Sequence, residues 1–232
     1  MARIPAAERR TELVAAAVRM IAAHGVDGAT TRRIAQEANA PLATLHYCFA
    51  TKETLFAAVY EYVAGQYREV LLRNDVHGDV ATTARALLRG VMEWYLANPD
   101  FGAAIIELIS WAQRQEGKQA EMVYSEAFGT TRPILEAAAT AAGQTIDSNT
   151  IDALTYIVSA LSDGFALNWL VFTDRGAART QVELTLGVLD AWMAANLGDA
   201  SVPVAEAAKV PKASKASPEE TMRSLVSWVG AS

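Results

Sequence analysis

The sequence predicts an all-α protein of about nine helices: a small three-helix head carrying a helix-turn-helix, followed by a larger helical body. Three observations carry this. Apolar residues recur at three- and four-residue spacings along most of the 232 residues, and no stretch keeps the two-residue alternation of a strand. Capping and breaking residues punctuate those stretches, from Gly25 through Asn98-Pro99 and Asp147-Ser148 to Asp174–Gly176. Finally, Thr30 to Lys52 reads as two short helices joined by a tight turn, a pair too small to bury a core without a third helix behind it.

Residues 1–5 read as a loose basic arm with Arg3. Helix one spans about Ala6 to Ala23, with Leu13, Ala17, Met20 and Ile21 inward, and Gly25 ends it. Helix two opens at Thr30-Thr31, whose hydroxyls can accept from unpaired amides, and sets Ile34, Ala35 and Ala38 on one face. Asn39 falls where the turn needs the left-handed region, and Pro41 suits the first position of helix three, whose apolar repeat is Leu45 and Phe49. Thr51 caps helix four, with Thr54 in its first turn and Leu55, Phe56, Val59 and Val63 as its stripe, running to about Arg73.

After the polar break Asn74–Gly78, helix five covers Val80 to Ala97 and helix six Phe101 to Gln115, with a stop at Gly117. Helix seven covers Gln119 to Ala142, and Pro133 is expected to kink or divide it. Asp147-Ser148 offer caps for helix eight, Asn149 to Phe172, and helix nine runs from Ala178 to Leu197, closed by Gly198. From Asp199 the composition turns to Ala, Pro, Ser and Lys, a flexible linker, before Met222, Leu225, Val226 and Val229 give a stripe for a short tail helix. The division is a head at 1–52, a body at 53–198 and a linker with tail at 199–232.

The run T-T-R-R-I-A-Q-E-A, a three-residue turn, L-H-Y-C-F and then T-K-E-T-L resembles the TetR family of bacterial transcriptional regulators over about residues 8 to 60. Beyond that the resemblance is architectural. Three residues depart from the family pattern. Asn39 stands where Gly is common, Arg33 where an acidic residue often completes a capping box with the leading Thr, and His46 where Tyr follows the recognition-helix Leu. The resemblance implies double-stranded DNA as a partner, with helix three in the major groove. Thr31, Arg32, Arg33, Tyr47 and Lys52 are then candidates for the DNA backbone and its edges. Leu42, Ala43, Thr44 and His46 would face the groove floor, where Leu and Ala touch thymine methyls and Thr or His bond base edges.

A net charge of −6 alone argues against a nucleic-acid partner, but residues 1–52 hold seven Lys/Arg against four Asp/Glu and the remainder 13 against 22. A weakly basic head on an acidic body suits a DNA reader with a separate regulatory domain. One Cys leaves no disulfide framework within the chain, which suits a reducing cytoplasm. Arg19 breaks the apolar run at 13–23 and no cleavage pattern follows, so no N-terminal signal is expected. The most apolar segment, Ile157 to Phe172, carries Asp163 and is too short to span a bilayer; a soluble cytoplasmic protein with no membrane contact is expected.

Three scattered His, no paired Cys and no glycine-rich phosphate loop argue against metal, nucleophilic or nucleotide chemistry, so no enzyme, metal or cofactor is expected. His46-x-Cys48 places two side chains on diverging helix faces, and Cys48 reads as a packing residue. The body offers large aromatics on amphipathic helices instead: Trp94, Tyr95, Phe101, Trp111, Tyr124, Phe128, Tyr156, Phe165 and Trp169, joined by Ile105. They are either core or the lining of an apolar ligand pocket, with Glu107, Asp163 and Asn168 as polar contacts. The family resemblance favours a pocket for a small-molecule effector, hydrophobic or aromatic. Small residues on helices eight and nine (Ala153, Ser159, Ala160, Gly164, Gly187, Ala191, Ala194) allow close approach, and the resemblance implies a homodimer there that reads a palindromic operator. The expected function is a ligand-responsive transcriptional regulator, a repressor by choice. The alternative is a helical sensor of small molecules or proteins that does not bind DNA.

Overall fold

The structure, a computed structural model, describes residues 5–114, 118–172 and 174–197. The arm with Arg3, the stop at Gly117, the closing Gly198 and everything assigned from Asp199 onward, the tail stripe included, lie outside the described residues. The described residues form nine helices and no strand: α1 (Ala6–Gly28), α2 (Thr31–Glu37), α3 (Leu42–Cys48), α4 (Lys52–Arg73), α5 (Val80–Ala97), α6 (Pro99–Gln113), α7 (Lys118–Ala141), α8 (Ser148–Phe172) and α9 (Arg175–Asn196). α1 runs along α6, α4 packs on α7, and α5 packs on both α8 and α9.

Each start and stop has a local cause. α1 breaks at Gly25, which takes φ 69, and one further turn carries it to Gly28. Thr30 caps α2 by accepting from the Arg33 amide. The end of α2 is a complete left-handed closure: Asn39 takes φ 54, the Ala40 amide bonds Ala35 O at 2.9 Å, and the Asn39 amide bonds Gln36 O at 3.0 Å. Pro41 is the N-cap of α3 and not its first helical residue, and Phe49 lies one residue past its end in extended backbone. Thr51 and Thr54 form a reciprocal capping box at the start of α4. Asp79 caps α5, and Asp147 accepts from the Thr150 amide at the start of α8.

Three expectations need correction. α6 begins at Pro99, not Phe101, because Pro at the first position gives up no bond. α9 begins at Arg175, three residues before Ala178, because the Asp174 carboxylate accepts from the Gly176 and Ala177 amides and turns the expected loop into a cap. Pro133 does not divide α7. Its ring removes the bond to the carbonyl of Gly129, and both residues lie on the exposed face, where water can take that carbonyl.

The core is continuous from head to body, through Leu13, Ile21, Ile34, Leu45 and Phe49 to Leu55, Leu71, Leu88 and Leu108. Gly90 on α5 is required by packing: a Cβ there would lie 2.1 Å from the Asn74 side chain, which folds over the end of α4. α8, at 25 residues with an 18-residue stretch of mean hydropathy 1.3, is long and apolar enough to cross a membrane, longer than the segment read from the sequence. Its inner face (Ile151, Leu154, Val158, Phe165, Ala166, Trp169) is buried in the body, which packs against α5, α7 and α9.

Candidate nucleic-acid interface and effector site

α3 buries Leu45 and turns its other side outward: Ala43, His46 and Tyr47 are exposed, Tyr47 at 83%, with Leu42 and Thr44 half-covered. An exposed tyrosine ring on a seven-residue helix gains nothing from packing, so this face is free to meet another molecule. Beside it an open recess of about 390 Å³ is lined by Thr30, Thr31, His46, Phe49, Thr51 and Lys52. The starts of α2 and α4 both border it, with Lys52 among its lining, and the Glu53 carboxylate is already bonded to the first-turn amide of α4 and to the Thr51 hydroxyl.

The cations of the head divide into committed and available. Arg19 pairs with Glu37 at 2.6 Å and Arg9 with Glu12 at 2.7 Å. Arg10 lays its guanidinium 4.2 Å from the Phe49 ring centroid and donates to Cys48 O at 3.0 Å, pinning the end of α3 from α1. Arg33, where a capping-box acid is common, donates to Gly28 O at 3.2 Å from an exposed position beside the end of α1. Arg32 has no partner among the described residues, and Lys52 faces the Phe56 ring 5.1 Å away. Cys48 is a half-buried free thiol.

The aromatic residues of the body do not share one cage. Trp94, Phe101 and Tyr62 pack ring on ring, Trp94 and Phe101 at 4.6 Å and edge-on. Phe56 and Trp111 form a second pair at 6.0 Å, while Ile105 is core. Phe165 and Trp169 are buried on the inner face of α8, and the Trp169 indole N–H has no acceptor among the described residues. Asn168 is exposed on the outer face of α8, while Tyr156, 65% exposed, lies two turns before Asp163 on the same side of the helix and close enough to Tyr124 to raise its phenol. Glu107 is elsewhere again: its Oε1 accepts from the Val26 amide at 3.3 Å, tying α6 to the break in α1. Glu107→Ala would strand that buried amide, and a loss of about 1 kcal/mol in denaturant unfolding is expected.

Tyr124, Phe128 and Asp163 do come together, near Tyr95 and with two residues the sequence reading passed over, Tyr67 and Ser162. Tyr124 donates to Asp163 Oδ2 at 2.9 Å, and its ring packs on Phe128 at 6.0 Å. Tyr67 of α4 meets Ser162 at 3.3 Å, and Tyr95 is buried close enough that the Asp163 charge raises its ionisation. A hydroxyl recurring seven residues after Tyr60 on the buried face of α4 was the available signal for Tyr67. Burial pushes the phenols of Tyr67, Tyr95 and Tyr124 up, and the Asp163 charge adds to it.

Burial also raises the Asp163 carboxyl, partly offset by the Tyr124 bond. A carboxyl raised in the folded state adds stability below its ordinary value and loses it as pH rises through the raised one. Asp163→Asn is therefore expected to melt higher than the parent at neutral pH, the gap closing as pH falls; a gap independent of pH would remove this account.

The outer faces of α8 and α9 form an apolar stripe. Leu167, Val171, Leu184 and Val188 are each more than half exposed, and a Cβ built at Gly164 or Gly187 meets nothing within 4 Å. Ala160, Ala191 and Ala194 are also exposed, whereas Ser159 is buried inside the protomer and Ala153 is half-covered. Among the described residues no group of three or more His, Cys, Asp or Glu is placed to hold a metal.

Comparison with known proteins agrees with this geometry. The family model for bacterial regulatory proteins of the tetR family matches residues 13–59. The nicotine-responsive transcriptional repressor HdnoR of Paenarthrobacter nicotinovorans is 31% identical over 198 residues, covering 82% of this chain and 97% of that protein. The transcriptional repressor NicS of Pseudomonas putida is 27% identical over 132 residues, covering 55% of this chain and 62% of that one. A TetR-family structure from Streptomyces coelicolor superposes with a TM-score of 0.60 at 25% identity, covering 78% of this chain and 98% of its own. With a nearly full-length repressor relative, an N-terminal family match and the same fold, the chain belongs to the TetR family of bacterial transcriptional regulators.

Proposed function

We propose that this protein is a cytoplasmic, homodimeric repressor that holds a palindromic operator and releases it when a small aromatic effector enters the body. The observation that carries the reading is the α3 face, with Ala43, His46 and Tyr47 outward beside the recess of Thr31 and Lys52. Phosphates in that recess would fix the helix in the groove, while Leu42, Ala43, Thr44 and His46 read base edges and thymine methyls. Residues 1–52 act as the reading head and 53–198 as the sensing and pairing body. The α8–α9 stripe supports pairing of two copies, which sets two α3 helices roughly 34–36 Å apart, one turn of DNA. The Tyr124–Asp163 cluster supports the effector site, and the nicotine-responsive relative supports a small nitrogen-containing aromatic compound.

α4 links the two ends. It begins with Lys52 at the recess and carries Tyr67, 15 residues later, to the Asp163 cluster, about 22 Å along one helix. An effector that favours a different tilt of α4 shifts the spacing of the heads, and by linkage operator must weaken effector binding by the same factor.

The test is selection of bound duplexes from random DNA, then titration across salt. A palindrome with a steep salt dependence is expected, and Lys52→Ala should lower the slope by about two for the dimer, one per protomer. An unchanged slope takes Lys52 off the phosphates. Recovery of no duplex at low salt overturns the repressor.

A further inference from the structure

We propose that the Asp163 site takes an organic cation: a protonated or quaternary amine on an aromatic or alicyclic frame, held by the carboxylate and the tyrosines around it. This rests on the effector reading above and names the chemistry that reading leaves open. Four helices converge on the site, α4 with Tyr67, α5 with Tyr95, α7 with Tyr124 and α8 with Ser162 and Asp163.

The count of protons is what points to a cation. The Ser162 hydroxyl donates to Ser159 O at 2.8 Å, so in its contact with Tyr67 the phenol is the donor. The Tyr124 hydroxyl spends its proton on Asp163 Oδ2. What remains is acceptors: the oxygens of Tyr67 and Tyr124 and the Asp163 Oδ1, which has no donor among the described residues. A site rich in lone pairs and poor in protons suits a ligand that donates.

Charge points the same way. Two other half-buried carboxylates of the body face arginines, Asp190 with Arg85 at 3.4 Å and Glu126 with Arg68 at 2.7 Å, while Glu107 accepts from the Val26 amide. Asp163 faces phenols and has no Lys, Arg or His partner among the described residues. A carboxylate in such a place lacks its counter-charge, and an arriving ammonium supplies it. Aromatic faces add the cation–π attraction that recognises quaternary and protonated amines. An anion would meet repulsion, and a neutral aromatic would leave the carboxylate uncompensated. The half-buried Trp94–Phe101–Tyr62 group has one carboxylate beside it, Asp100, which is exposed and so already met by water.

The test titrates the full chain, without DNA, by calorimetry at neutral pH. The probes are N-benzylpyrrolidine, a cation there, and N-benzoylpyrrolidine, its neutral amide of similar shape. The parent is expected to bind the cation about ten- to a hundredfold tighter, the range of a charged hydrogen bond, and Asp163→Asn to erase that preference. Equal affinities in the parent, no binding of either probe, or a preference that survives in the variant would each overturn the proposal. The comparison within the parent stands even where the variant folds poorly. Operator release by neutral aromatics alone would keep the effector reading and remove the cation. A cation preference without any bound duplex would keep the site and remove the repressor.

Discussion

Replacing Leu184 and Val188 with glutamate is expected to give a monomer whose operator affinity falls by 100-fold or more. Both side chains are exposed, at 57% and 58%, and lie on one face of α9 with Gly187 between them. In a protomer alone, exposed apolar groups at these positions contribute nothing, so their loss should leave the protomer's own stability within about 0.5 kcal/mol. In a dimer they are buried against a second copy of the α8–α9 stripe, and a carboxylate there lacks a partner. The operator effect follows from linkage of the two heads: once one is bound, the second binds at high effective concentration, typically worth about 10²–10⁴ in affinity. Sedimentation gives the mass and anisotropy the affinity. A double variant that stays dimeric moves the interface off α9. A monomer that binds operator as tightly as the parent removes the need for a dimer.

What could be read in advance divides by the range of the interaction that decides it. Thr51 with Thr54, Asp79, Asn39 and the Asp147 cap act within four residues, and the helix boundaries they set were legible. Asp174 shows the limit of that reading, since its carboxylate began α9 in what looked like a turn. Contacts between distant residues were not legible. Arg10 reaches Cys48 across 38 positions and Glu107 reaches Val26 across 81, and no spacing rule connects such pairs. The aromatic residues show the same divide. Their number was plain, but which of them pack together depends on how four helices cross. Trp94 and Phe101 therefore joined Tyr62, while Tyr124 turned to Asp163. Asn168, on the same helix as Asp163, faces outward because a helix has more than one side, whereas Tyr156, seven residues before Asp163, shares its side and stays mostly exposed.

The position of Arg33 follows from the same physics. Where a carboxylate would complete a capping box with Thr30, the guanidinium turns back to Gly28 O, satisfying the end of α1 in place of the start of α2. Thr30 then caps α2 alone, through the Arg33 amide. Local order in the head is preserved by a different bond, from the Arg33 guanidinium to Gly28 O.

Phe49→Ala is expected to destabilise the head by about 3–5 kcal/mol, a large part of the roughly 5–15 kcal/mol of a typical domain, and to abolish operator binding with it. Phe49 is 1% exposed and follows the last residue of α3 in extended backbone, so its ring fixes where the recognition helix ends and where α4 begins. It also lines the recess with Thr31 and Lys52, so a cavity there reshapes that recess as well as loosening the core. The Arg10 guanidinium above the ring would lose its cation–π contact, although its bond to Cys48 O can remain. Phe49→Leu separates the two effects. It keeps an apolar filler and should cost far less in stability, while the flat face for Arg10 is lost. Denaturant unfolding read together with operator anisotropy distinguishes them. A Phe49→Ala variant that unfolds within 1 kcal/mol of the parent would mean that the ring does not hold α3 against α1, and α3 would then have to be positioned by Leu45 and the Arg10 bond to Cys48 O.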